Sequence, residues 1–410
     1  MIRFETRTVQ DVTETLIDYR GKTPPKSDIG IRLVTAKVIK DGFIQDDRAE
    51  YVSEETYESW MRRGYPQTSD IVITTEAPLG EVAQIRTSER LALAQRVILL
   101  RGNPNVIDQQ FFFQALRSPF VQAGLSQRAT GTTVSGIKQS ELRQVRVPYP
   151  PLPTQHKIAA ILSAYDDLIE NNLRRIKILE EMAQMIYREW FVHFRFPGYE
   201  KVKMVDSPLG RIPEGWEVRN LFAIADVTYG FPFTSHLFND TGVGRPIIRI
   251  RDIVASETST FTTEDVADKY LVTNGDILIG MDGDFHMGVW SGGRAFLVQR
   301  VSRLRPKGDI GPYHLFWALR TPIRNFNAAI SGTTVAHLGD KHLREIQILW
   351  PSPDLISRAR QLLDAFLEQV LGLRVKNRIL RRTRDLLLPK LISGEIDVSN
   401  LDIDTGRLDE

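Results

Sequence analysis

Gly131-Thr132-Thr133-Val134 occurs again as Gly332-Thr333-Thr334-Val335, 201 positions later. The same offset pairs Leu142-Arg143 with Leu343-Arg344, Pro150 with Pro351, Leu162 with Leu363, Ala164 with Ala365 and Ile178-Leu179 with Ile379-Leu380. Upstream the offset drifts in one direction. Phe113 and Ala115-Leu116-Arg117 match Phe316 and Ala318-Leu319-Arg320 at 203, Gln95-Arg96-Val97 matches Gln299-Arg300-Val301 at 204, and Asp70-Ile71 matches Asp276-Ile277 at 206. A collinear series with small drifts is what loop insertions leave in two copies of one unit, so the chain reads as a duplication.

Each copy is a compact part followed by a long helical pattern. From Ile158 to Trp190 apolar residues fall at Ile158, Leu162, Tyr165, Ile169, Leu173, Ile176, Leu179, Ala183, Ile186 and Trp190, a spacing near 3.6 that lines one helix face. At 1.5 Å per residue this stretch is roughly 50 Å long. The second copy repeats the stripe at Leu362, Phe366, Val370, Leu373, Leu380, Leu387 and Leu391, with Pro389 inside it; the proline predicts a kink or an end near Leu388. One apolar stripe cannot be buried alone, and the two stripes most simply bury against each other as a coiled-coil pair.

The compact parts read as mixed α/β. Strand-like runs at Arg32-Leu33-Val34, Ile71-Val72-Ile73, Val97-Ile98-Leu99-Leu100 and Val145-Arg146-Val147 have counterparts at Ile247-Ile248-Arg249-Ile250, Ile277-Leu278-Ile279, Phe296-Leu297-Val298 and Ile346-Gln347-Ile348. One amphipathic helix per copy, near 110–117 and 313–320, is expected to stop at Ser118-Pro119 or Thr321-Pro322. Proline clusters at Pro148–Pro153 and Pro351–Pro353, and the stretch from Phe196 to Trp216, read as linkers. The fold class is therefore α+β: two duplicated globular parts separated by two long helices packed as an antiparallel coiled coil, with an approximate two-fold relation.

Composition narrows the function. The 410 residues are 42% hydrophobic and 25% charged, with a net charge of +2 and no cysteine, so disulfides and thiolate metal sites are excluded and disorder is not expected. The start has no apolar signal core, and no run approaches a membrane span; a cytoplasmic protein with no membrane partner is expected. Gly21-Lys22-Thr23 is half of a phosphate loop whose first glycine position holds Leu16. No acid stands two residues before any lysine, as metal nucleases often need, and His337 and His342 are five apart rather than four. The Asn/Asp-Pro-Pro-aromatic turn of an amino-methyltransferase is missing, Val147-Pro148-Tyr149-Pro150-Pro151 being the nearest string. No catalytic residue, cofactor-binding residue or metal ligand is assigned: the chain reads as a binder and not an enzyme.

A duplicated binder with long helices suits a two-fold partner, and duplex DNA is one. Thr132, Thr133 and Lys138, with Thr333, Thr334 and Lys341, offer hydroxyls and a cation beside exposed amides, which suits phosphate positioning; a polar turn capping its own backbone is the alternative. Arg249 and Arg251 alternate with Ile248, Ile250 and Ile253, which predicts that both leave one strand face, where arginines can read guanine edges bidentately; a solvated strand face is the alternative. Thr35 and Lys37 are their counterparts.

The chain resembles the specificity subunit of type I restriction–modification systems. The duplicated Gly-Thr-Thr loops carry the resemblance, with Pro148–Pro153 running into Gln155-His156-Lys157-Ile158-Ala159, Trp190-Phe191-Val192-His193-Phe194, Pro208-Leu209-Gly210 and Ile212-Pro213-Glu214-Gly215-Trp216-Glu217-Val218. The strongest string is Asp385-Leu386-Leu387-Leu388-Pro389-Lys390-Leu391-Ile392-Ser393-Gly394-Glu395-Ile396. Leu355-Ile356-Ser357 departs from the first copy's Thr154-Gln155-His156. The resemblance implies target-recognition domains over 1–154 and 197–354, each reading half of a split double-stranded DNA site. It also implies a central long helix over 155–196, a C-terminal long helix over 355–394 and an acidic tail over 395–410, expected to be mobile. Two modification subunits would dock on the helices, with Arg174, Arg175, Arg381 and Arg382 as candidate contacts. They would bring S-adenosylmethionine and methylate adenine N6. Restriction subunits with ATP- and Mg-dependent translocase and nuclease activity can join. This chain would hold no cofactor. Two other readings stay open: a DNA-recognition or regulatory protein that works without a methyltransferase, and a self-contained adenine DNA methyltransferase, against which the missing motifs argue.

Overall fold

A computed structural model describes residues 4–19, 21, 23–45, 49–131, 134–330 and 336–406. The chain forms two compact units, one of Met1–Ile169 with Leu380–Glu410 and one of Glu170–Ile379.

In the first unit a four-stranded antiparallel sheet has the order Thr13–Asp18, Val97–Gly102, Ile71–Thr75, Leu79–Gln84. Its central strands carry the apolar runs Val97-Ile98-Leu99-Leu100 and Ile71-Val72-Ile73, as strands covered on both faces do. Side-chain alternation sends Ile71, Ile73, Ile98 and Leu100 to one cluster with Phe111, Phe112 and Phe113 of the helix Gln109–Arg117. Val72, Val97 and Leu99 go to the opposite cluster, against a smaller sheet. That sheet pairs Ile31–Val34 with Glu50–Val52 antiparallel and with Leu91–Leu93 parallel. Each of the three phenylalanines is at most 1% exposed, a burial that contributes about 1.5–3 kcal/mol per side chain.

The second unit repeats this plan. Its four-stranded sheet runs Ala225–Tyr229, Val301–Pro306, Ile277–Gly280, Met287–Val289. Arg245–Ile248 pairs parallel with Ala295–Leu297 and antiparallel with Phe261–Thr262. The outer pairs correspond as well: Glu5–Thr8 with Arg146–Tyr149, and Glu217–Asn220 with Gln347–Trp350. Two copies of one strand order, parallel pair included, bear out the duplication read from sequence.

The long helices are Leu152–Tyr187, continued by a π-turn over Arg188–Val192, and Pro353–Ser393. Within the second unit Asn172 meets Asn377, Ile176 packs with Val370 and Leu373, and Glu180 pairs with Arg374 at 2.7 Å. From Asn172 to Glu180 the hydrogen-bonded or ion-paired partner moves back from Asn377 to Arg374, so the packing there is antiparallel. Within the first unit Ile158 and Leu162 enter the domain core beside Leu388 and Leu391.

Four expectations need correction. The second helix does not end near Leu388 but continues through Pro389 to Ser393. The carbonyl that loses its donor belongs to Asp385, on an exposed position where water can serve it. Ser118 does break its helix: it is buried, extended (φ −68°, ψ 148°), and caps a new helix over Pro119–Arg128. The exposed Thr321 does not, and Pro312–Ile330 is one helix. The proline clusters are not free linkers, since Pro148 lies in a strand opposite Thr6 and Pro153 in the first helical turn, where a proline's missing N–H costs nothing. Nor is 196–216 a linker. It forms a hairpin of Met204–Ser207 and Gly210–Pro213, while Phe196 stacks on Trp216 at 5.5 Å in the second unit's core. In the tail, Val398 is buried in the first unit's core and Lys157 donates to the Ser399 carbonyl at 2.7 Å.

Candidate nucleic-acid interface

In each unit the tip of the central hairpin is held against the segment that follows the Gly-Thr-Thr string. In the first, Thr130 pairs with Gly136, closing the loop, and Gly136 pairs with Glu76 at the tip. The Ile137 N–H donates to the Thr75 carbonyl at 2.9 Å. Gly131 has φ +113°, and a Cβ there would lie 2.3 Å from the Val134 carbonyl, so only glycine closes this turn. In the second, Asp282 pairs with His337, the Leu338 N–H donates to the Met281 carbonyl at 2.8 Å, and the Gly283 N–H to the Ala336 carbonyl at 3.0 Å.

An arginine–carboxylate pair stands at each tip. Arg96 Nε lies 2.7 Å from Glu76 Oε1, with the arginine side chain 48% exposed. Arg300 Nε lies 3.2 Å from Asp282 Oδ2, with the arginine 54% exposed. His337 Nδ1 meets the other oxygen of Asp282 at 2.6 Å. Around the first tip a cleft of about 330 Å³ is lined by Thr75, Glu76, Arg96, Val134 and Lys138. A guanidinium oriented by one carboxylate keeps free N–H donors in a planar fork, the geometry that suits a phosphate or a guanine edge.

Thr132, Thr133, Thr333 and Thr334 lie outside the described residues. Lys138 is exposed and joins Arg96 in the cleft; Lys341 is exposed in the short helix Asp340–Glu345. Arg249 and Arg251 do not share a strand face. The strand stops at Ile248, and Ile250–Asp252 is a 3-10 turn. Arg249 stands ahead of that turn, its N–H donating to Asp252 Oδ2 at 2.9 Å and its guanidinium to the buried Thr260 hydroxyl. Arg251 is exposed, 3.6 Å from the Asp252 carboxylate. Thr35 and Lys37 occupy the same step before and within the turn Ala36–Val38; the Thr35 hydroxyl is buried and Lys37 is exposed. Sequence reasoning missed Arg96, Arg300 and their carboxylates. The signal was present: Gln-Arg-Val recurs in both copies, and a carboxylate stands six residues after each Asp-Ile.

On the long helices Arg175 and Arg382 are exposed, Arg381 is half-buried, and Arg174 pairs with Glu170 at 2.5 Å. The larger feature is apolar. Ile178, Met182 and Met185 are 54%, 41% and 61% exposed on one helix face. Their repeat counterparts Ile379 and Leu386 are 61% and 60% exposed. Among the described residues no cluster of three His, Asp or Glu could hold a metal, and no helix is long and apolar enough to cross a membrane.

A sequence profile described as the type I restriction modification DNA specificity domain matches residues 1–181 and 213–365. The chain is 25% identical over 362 residues to the type I restriction enzyme MjaIX specificity subunit of Methanocaldococcus jannaschii, covering 85% of this chain and 82% of that one. It is 31% identical over 223 residues to the EcoBI specificity subunit of Escherichia coli, covering 53% of this chain and 47% of that one. A crystal structure of a type I restriction–modification system S subunit from M. genitalium superposes with a TM-score of 0.57 at 17% identity, covering 95% of this chain and 96% of that one. It shares the fold.

Proposed function

Because the chain belongs to the type I restriction–modification DNA specificity family, we propose that it reads a bipartite double-stranded DNA site, one half through each of two recognition domains over 1–154 and 197–354. The observation that carries this reading is the duplicated hairpin tip, where Arg96–Glu76 and Arg300–Asp282 present an exposed guanidinium beside the segment that follows each Gly-Thr-Thr string. The shared arginine suits the shared part of DNA, its phosphates. The dissimilar tips, Glu76-Ala77-Pro78 against Asp282–His286, suit two different half-sites.

Chemistry would come from partners. Two modification subunits would dock on the long helices and carry S-adenosylmethionine to adenine N6, in the cytoplasm where chromosomal DNA is reached. The matched exposed pairs Ile178 with Ile379 and Met185 with Leu386 support two related docking positions, since an exposed apolar residue that recurs in both copies suits a recurring contact. Mapping N6-methyladenine across the source genome with and without this chain tests the reading. Loss of methylation at one split motif on deletion is the expected result; an unchanged methylome in a strain whose modification subunit is active overturns it.

A further inference from the structure

The two copies differ where the recognition-domain helix meets the long helices. In the first, Asp166 accepts from Gln114 Nε2 at 2.7 Å, Arg117 Nη1 at 3.0 Å and Arg384 Nη1 at 2.6 Å; Asp166, Gln114 and Arg384 are buried and the Arg117 side chain is 11% exposed. By the repeat offsets the second copy has Trp317 for Gln114, Arg320 for Arg117, Leu367 for Asp166 and Ala183 for Arg384. The arginine alone is kept, and its carboxylate is gone. Arg320 is exposed, lies over the Trp317 ring at 5.3 Å, and has no ion pair among the described residues. Glu180, which lines a small cleft with Arg320 and Leu367, is held by Arg374.

Arg320 opens onto a larger cleft of about 490 Å³ in the second unit. Arg188 and Arg324 line it as well, and among the described residues no lining side chain is acidic. Its apolar wall includes Phe285, Met287 and Val192, the last 54% exposed. A cationic cleft with an apolar wall fits a carboxylate next to an apolar side chain better than it fits a bare phosphate.

We propose that this cleft receives an acidic segment of a modification subunit, whose carboxylate gives Arg320 the acidic partner that Arg117 has inside the other copy. The proposal rests on the docking reading above and adds that the two docking positions are unequal: one carries a charged anchor, the other has its charge consumed inside the chain.

The test is co-expression of the full chain with its modification subunit and native mass measurement of the purified complex. The wild-type chain should hold two modification subunits. Arg320→Glu/Arg324→Glu should hold one firmly and release the other on the order of tenfold more readily or worse, while Arg320→Lys/Arg324→Lys should hold two. The exposed Arg324→Glu alone provides the same comparison should the double variant melt early. Two firmly held subunits in the charge-reversed chains overturn the inference and leave the functional reading standing. Retention of both subunits with weaker, less salt-dependent DNA binding assigns the cleft to a DNA phosphate and also overturns it. A wild-type chain that holds no modification subunit removes the functional reading and this inference together.

Discussion

Asn172 donates from Nδ2 to Oδ1 of Asn377 across 2.8 Å, with both side chains buried beside the apolar contacts of Ile176, Val370 and Leu373. A polar pair inside a helix seam lowers stability relative to leucine but penalises every register that sets an amide opposite a hydrocarbon. Asn377→Leu alone strands the Asn172 amide and should cost about 1–3 kcal/mol. The double change to leucine should recover that loss or exceed wild type, while loosening the register. Urea unfolding midpoints of the three proteins check the order; a single variant as stable as wild type contradicts it.

Asp166 is the hub of the first unit's buried cluster. Burial alone would raise its pKa, but Arg117 and Arg384 with the Gln114 amide hold it below the usual carboxylate value. Asp166→Ala leaves Arg117 without a carboxylate, with the Gln114 oxygen alone, and Arg384 with Asp385 alone, and should cost about 3 kcal/mol. Because the folded pKa is depressed, the ion-pair contribution is present above about pH 4 and is lost as pH falls below it. Denaturation at pH 7 and pH 3 should show a difference between wild type and variant that shrinks at the lower pH.

His314 packs between Tyr187 and Phe191, with ring centroids 5.4 and 4.4 Å away, and desolvation pushes its pKa down to about 3. The unfolded chain takes up this proton below about pH 6.5 and the folded chain does not. Stability should therefore fall from pH 6.5 towards pH 3 by up to about 1.4 kcal/mol per unit. The repeat counterpart is Phe111, so His314→Phe is a change of known fit in the homologous core. It should remove this contribution to the slope without lowering stability at pH 7 by more than about 1.5 kcal/mol.

Much of the fold was open to sequence reading because burial on both faces leaves uninterrupted apolar runs. Ile71-Val72-Ile73 and Val97-Ile98-Leu99-Leu100 read as strands and are central ones, but the copy of the second is not where the apolar pattern places it: it is Val301–Pro306, broken up by Arg303 and Arg305, while Phe296-Leu297 belongs to the smaller sheet as the counterpart of Leu91–Leu93. The helix limits were less open. A proline stops a helix only when the preceding residue turns extended, and Ser118 and Thr321 differ there through burial and capping, which composition does not reveal. The interface was hardest. Arg249 looked like a strand residue because Ile-Ile-Arg-Ile alternates correctly, but Asp252 captures its amide and winds the chain into a 3-10 turn. Arg96 and Glu76 stand twenty positions apart, and only the register between the strands Val97–Gly102 and Ile71–Thr75 brings them together.

The paired tips make a prediction about DNA that separates positioning from reading. If Arg96 contacts a phosphate, Arg96→Gln should weaken binding evenly across sequences and reduce the salt slope by about 1. If it reads a base, the loss should be about 1–3 kcal/mol at one position of one half-site. Arg300→Gln should act on the other half-site alone. Fluorescence anisotropy of the assembled complex on DNAs altered in one half at a time, over a range of salt, distinguishes these outcomes; a loss shared by both halves contradicts the assignment of one tip per half.

The cluster around Asp166 also bears on inheritance. Arg384 reaches it from the second copy, at a position where the first copy holds Ala183. A fragment ending before the second helix, or a chain built of two first halves, would keep Arg117 against Asp166 but could not supply the third member. The duplicated halves have thus become mutually dependent. An exchange of recognition domains between relatives that moves Asp166 must carry a matching arginine some two hundred residues downstream, so the natural breakpoints for such an exchange lie before the long helix and not within it.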